Sequence, residues 1–145
     1  MALALQDLER IDYWDAYRAR ASRPVQRSAE EWARAALESL PRPAEVLWRA
    51  AWSLAGLRAG PRSSCQHVLG LGIGEKAADA ILLKAPGRSV TVQLALLVDS
   101  RNDPPALVLS TFAQRRGWLG KATWAVISRL HRRVAPYLLE RAVTR

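Results

Sequence analysis

The sequence predicts an α+β fold in which an antiparallel sheet faces one long C-terminal helix. Three observations lead there. Apolar residues alternate with a period of two through most of the stretch from Gln66 to Arg115. They recur at helical spacing from Trp118 to about Val143. An early aromatic strand is separated from the later strands by two short helix signals. One sheet against one long helix is a two-layer arrangement. A chain of 145 residues is most simply a single domain, 1–145.

The elements follow in order. "RIDYWDAYRA" (10–19) reads as a first strand, with Ile11, Tyr13 and Tyr17 on one parity and Trp14 and Ala16 on the other. Ser28-Ala-Glu-Glu31 is a capping box, and Trp32, Ala35, Ala36 and Leu40 follow at helical spacing. Pro41 ends that helix and Pro43 suits the first turn of a second. Val46, Leu47, Ala50 and Leu54 make the second helix's stripe, extended sideways by Trp48, Trp52 and Ala55. "HVLGLGIGE", "KAADAILLK", "RSVTVQLALLVD" and "PALVLSTFAQR" read as four strands. Along the third, Val90, Val92, Leu94, Leu96 and Val98 form an apolar face. Thr91, Gln93, Ala95 and Leu97 form a mixed face, suited to solvent or a cavity. The terminal helix, about 39 Å long at 1.5 Å per residue, places Leu119, Val126, Ile127, Leu130, Val134 and Tyr137 in one stripe. Lys121, Ser128, Arg129 and Arg132 lie away from it, and Pro136 is expected to bend it.

"LGLGIGEK" (69–76) alternates three glycines with three branched apolar residues. Its glycines do not match G-x-G-x-x-G, and Lys76 is followed by Ala77 rather than Ser or Thr, so a phosphate loop is not expected. Read as one strand, it places Gly70, Gly72 and Gly74 on a single face. Three such glycines cost about 1.5–3 kcal/mol against alanine. That cost suggests close approach of a helix, or sheet curvature, and predicts that Gly72→Val destabilises.

Composition narrows the function classes. Net charge is +9, carried by 19 arginines and three lysines. From Thr111 to Arg145 eight basic residues meet one acid, Glu140. Zinc-finger spacing and RNA-binding aromatic motifs are missing from the sequence, so a nucleic acid partner is not expected. The apolar N-terminus lacks a basic segment and a long apolar core, and no run approaches about 18 apolar residues. The cytoplasm is the default compartment, with no membrane span. Cys65 is the one cysteine and cannot form an internal disulfide.

Four segments carry a family resemblance: "DYWDAY" (12–17), "SAEEWARAALESLP" (28–41), "GIGEKAADAILLKAPGRSVTVQLALLV" (72–98) and "RRGWLGKATWAVISRLHRRVAPYLLERA" (115–142). Together they resemble the DUF2867 family within the START-like (SRPBCC, helix-grip) superfamily. The last is the most specific, with Trp-Leu-Gly, His131 about a dozen residues on, and Val-x-Pro before Leu-Leu. The resemblance implies a curved antiparallel sheet wrapped around the C-terminal helix, often around an apolar cavity. It implies no reaction.

On that expectation the chain binds a hydrophobic or amphipathic small molecule between sheet and helix. The residues expected to line the site are Trp48, Trp52, Gln93, Thr111, Trp118, Trp124, Ile127 and His131. Indoles supply rigid apolar walls with one donor each, and Trp48 and Trp52 stand one turn apart. The enzyme alternative resembles a polyketide cyclase or dehydratase, with His131 or Asp79 as acid/base. Asp79 stands out as a carboxylate in an otherwise apolar strand, where a terminal-helix arginine could pair with it. A third alternative is an interaction module using the basic helix face. A second copy of the chain is a further candidate partner. Two histidines without clustered Cys, Asp or Glu make a poor metal site, and no cofactor is expected. Cys65 and His67 share a strand face at most, with no visible base arrangement for nucleophilic catalysis.

Overall fold

A computed structural model describes residues 2–145. A helical turn, α1 (Ala2–Leu5), precedes β1 (Tyr13–Arg20). Two helices follow, α2 (Ala29–Leu37) and α3 (Arg42–Leu54). Then come β2 (Ser63–Ser64), β3 (His67–Val68), β4 (Leu71–Lys76), β5 (Ala80–Ala85), β6 (Val90–Asp99) and β7 (Ala106–Arg115), and the chain closes with α4 (Gly117–Thr144). The strands form one curved antiparallel sheet in the order β1-β7-β6-β5-β4-β3-β2. The α+β layout is the expected one, with the sheet packed against a long C-terminal helix.

Local chemistry explains the helix starts. Ser28 Oγ accepts from the Glu31 backbone N–H, and the Glu31 carboxylate accepts from Ser28 N–H at 2.7 Å. This reciprocal cap satisfies two donors that a helix start leaves unpaired. Pro43 sits in the first turn of α3, where its missing N–H costs nothing. Arg34 of α2 donates to the carbonyls of Ser64 and His67 and to Ser63 Oγ. It thereby fastens α2 to the β2–β3 hairpin.

The glycine stretch is not one strand. Leu69 and Gly70, at φ 50° and 84°, form the two-residue turn between β3 and β4. Positive φ at both central positions is the twist-matched hairpin geometry. Gly70 is favoured there, and Leu69 accepts the strained backbone while its side chain is buried. Gly72 pairs with Lys84 on the outer face, away from α4. A Cβ at Gly72 would meet nothing closer than the Lys84 carbonyl at 3.8 Å. No helix approaches it, so helix contact is not the reason for Gly72; the other expected reason, sheet curvature, agrees with the register shift between Ile73 and Lys76. The close approach lies elsewhere: a Cβ at Gly120 would stand 2.3 Å from the Ser89 carbonyl oxygen. Gly120 is what lets the start of α4 settle onto the β5–β6 turn.

Helix α4 runs 28 residues, about 42 Å, continuously through Pro136. Its buried face is Gly120, Trp124, Ile127, Ser128, His131, Ala135, Leu138, Leu139, Ala142 and Val143. This corrects the predicted stripe, of which only Ile127 is buried. Leu119, Val126, Leu130 and Tyr137 are exposed, and Ser128 points inward. The helix carries apolar residues on two faces. Small residues at Gly120, Ala135 and Ala142, and a polar partner for His131, decide which face meets the sheet.

The core lies between the inner sheet face, α2 and α4, with Trp32, Leu83, Leu94, Leu109 and Leu139 among its members. It is well filled. An enclosed apolar void beneath α2, lined by Ala33, Ala36, Leu37, Leu94, Leu109 and Leu139 among others, measures only about 10 Å³. The outer face buries a smaller cluster, Leu82, Ala95 and Phe112, under Ala2, Leu5 and Leu8.

Candidate functional site

On the inner face, β1 and β7 pair so that Asp15 stands opposite Thr111. Strand alternation puts Tyr13 and Tyr17 on the same side as Asp15. Helix α4 lays Trp124 and His131 over them, one on each side of Ile127. The result is a cluster of polar side chains within an otherwise apolar layer.

The geometry is close. Thr111 Oγ1 and His131 Nε2 are hydrogen-bonded at 2.7 Å, and both residues are buried. His131 Nε2 lies 3.5 Å from Asp15 Oδ2. Tyr13 donates its hydroxyl to the same Oδ2 at 2.6 Å, and the Tyr17 hydroxyl approaches it at 3.5 Å. Arg132, exposed, donates from Nε to Tyr13 Oη at 3.2 Å and lies over the tyrosine ring. The Tyr13 ring packs edge-on against Trp124 at 4.9 Å between centroids. Aromatic faces therefore enclose the Asp–His pair, and the tyrosines and Arg132 form its half-exposed rim.

The electrostatics favour an ionised Asp15. Burial raises its pKa, but hydrogen bonds from His131, Tyr13 and Thr111, with the His131 charge, outweigh that and hold it below the usual carboxylate range. Burial is also the main cause that raises the Tyr13 and Tyr17 hydroxyls above the ordinary phenol value, reinforced by the Asp15 charge. Both tyrosines are thus kept as neutral donors. With hydrogen on Nε2, His131 donates towards Thr111 and Asp15; with hydrogen on Nδ1, Thr111 donates to Nε2. Two buried polar atoms here have no protein partner: Asp15 Oδ1, an acceptor, and Trp124 Nε1, a donor. The cluster can therefore accept one hydrogen bond and donate another to a guest. An oriented carboxylate beside an imidazole can also hold a proton in transit.

The sequence-predicted residues divide into three groups. Thr111, Trp124, Ile127 and His131 come together, facing the sheet–helix interior. Trp48 and Trp52 touch each other, 5.2 Å apart, on α3 and away from the Asp15 cluster. Three expectations are overturned. Gln93 lies on the outer face, bonded through its side chain to Asp7, because alternation sets it opposite Leu94. Trp118 is 80 % exposed and lines no interior surface. Asp79 is not in a strand: it occupies the exposed turn before β5 and pairs with no terminal-helix arginine. Sequence reading missed Asp15, Tyr13 and Tyr17 as site residues. Their shared parity was visible, but not what faced them. His67 hydrogen-bonds Ser64 at 3.0 Å, and Cys65 is exposed beside it. Among the described residues no group of three or more His, Cys, Asp or Glu could hold a metal ion.

No family model matches the chain, and no curated protein matches it. Among solved structures it is similar to an uncharacterized protein from Rhizobium leguminosarum, at 12% identity, covering 89% of this chain and 97% of that one, with a TM-score of 0.32. A score that low does not establish a shared fold.

Proposed function

We propose that the chain is a START-like binding domain for a hydrophobic or amphipathic small molecule, whose polar end is received by Asp15, Thr111 and His131. The supporting observation is the spare hydrogen-bonding capacity of Asp15 Oδ1 and Trp124 Nε1 inside an apolar layer. Unpartnered buried polar atoms are costly unless something meets them. A ligand's apolar part needs more room than the packed interior leaves. The void beneath α2 is the place to enlarge, by displacement of α2 and α3. Only Glu45 and Trp52 are buried along α3, against five residues along the shorter α2, so α3 is the more easily lifted of the two. Trp48 and Trp52 would report that movement.

Native mass spectrometry of the purified chain tests this reading. A co-purifying adduct, or one formed on adding a medium-chain alcohol or a prenyl alcohol, is expected. It should be lost in Asp15→Asn and retained in Gln93→Ala. A bare chain mass under every condition would overturn the reading.

The 3.5 Å approach of His131 to Asp15 favours a second reading, an acid/base enzyme of the polyketide cyclase or dehydratase type. His131 is then the proton carrier and Asp15 its orienting partner. His131→Asn should leave ligand binding in place and abolish turnover of the bound molecule. Loss of binding alone would favour the first reading.

A further inference from the structure

Apart from Arg132, the solvent face of α4 has no role in that site. Trp118, Leu119, Ala122, Ala125 and Val126 are all exposed, and the first, second and last are large. At 100° per residue they cover about 120° of helix circumference. The next turns carry Arg129 and Arg133, both exposed. Between Asp103 and Glu140 the chain has no acidic residue. We propose that this face of α4 docks the domain onto an anionic lipid surface, with the apolar first turns entering the headgroup–acyl boundary and the arginines contacting the headgroups.

Two features favour a bilayer over a lone partner helix. The apolar arc is wider than the narrow seam a partner helix would cover, and it leads with a tryptophan, a side chain suited to the membrane interface. A second copy of the chain would bring Arg129 and Arg133 of each copy together without acids to offset them. Basic residues beside an exposed apolar helix face are the combination that holds interfacial helices on anionic lipid. No helix among the described residues is long and apolar enough to cross a membrane, so α4 lies on the surface it binds.

Cosedimentation with vesicles tests the proposal. The full chain should bind vesicles containing phosphatidylglycerol, bind pure phosphatidylcholine far less, and lose affinity as salt rises. R129Q/R133Q should weaken partitioning about 25-fold, at about fivefold per cation. W118S/V126S should weaken it at least about tenfold. All four side chains are exposed, so unchanged far-UV circular dichroism and melting would show that the variants still fold. Equal binding to both lipids, no binding, or variants indistinguishable from the parent would overturn the proposal. Self-association abolished by V126D would reassign the face to a second copy. Binding to polyglutamate without binding to vesicles would reassign it to an acidic protein.

Discussion

Thr111→Val tests the buried cluster directly. Valine matches threonine in shape and removes only the hydroxyl that meets His131 Nε2 at 2.7 Å. Losing a buried hydrogen bond costs about 1 kcal/mol, and leaving the ring nitrogen short of a partner adds about 1–3 kcal/mol. The extra methyl returns part of this, so the expected net loss is about 2 kcal/mol. At this chain length that corresponds to a fall in Tm of about 4–8 °C. The decisive assay is a double-mutant cycle in urea with His131→Phe. Removing both polar partners should cost less than the sum of the two single losses, by about 1 kcal/mol or more. A Thr111→Val protein as stable as the parent, or strictly additive losses, would refute the coupling of Thr111 and His131.

Asp15 has a lowered folded-state pKa, so in acid the unfolded chain binds its proton first. Its stabilising contribution is present above about pH 4 and is lost as pH falls through its lower folded value. Asp15→Asn should flatten that limb of a urea-midpoint profile between pH 2 and 6; an unchanged slope would contradict the assignment. Gly72→Val should be neutral or stabilising by about 0.5–1 kcal/mol, because its Cβ meets only the Lys84 carbonyl at 3.8 Å. Gly120→Val should cost at least about 2 kcal/mol through overpacking, since its Cβ would meet the Ser89 carbonyl oxygen at 2.3 Å. Thermal melts of this pair check both, and a reversed order would refute the placement of α4. Ser28→Ala should lose about 1 kcal/mol with its cap, measurable by chemical denaturation.

The sequence by itself determined the main order (a strand, two helices, a run of strands, a long helix), the α2 capping box and the shared parity of Tyr13 and Tyr17 on β1, but not α1, β2 or the turn that splits β3 from β4. What it determined follows from local chemistry and from periods fixed by backbone geometry. Periodicity says which residues share a face, but not what covers that face. Only the tertiary structure decided that the Tyr13–Asp15–Tyr17 face meets α4, and that Gln93 points outward. It also chose between the two apolar faces of α4, turning His131 and Ser128 inward and leaving Leu119 and Val126 in solvent. The physical reason is complementarity between elements distant in sequence. Gly120 fits against the Ser89 carbonyl, and His131 finds Thr111 and Asp15 across a sheet that brings together residues about a hundred positions apart.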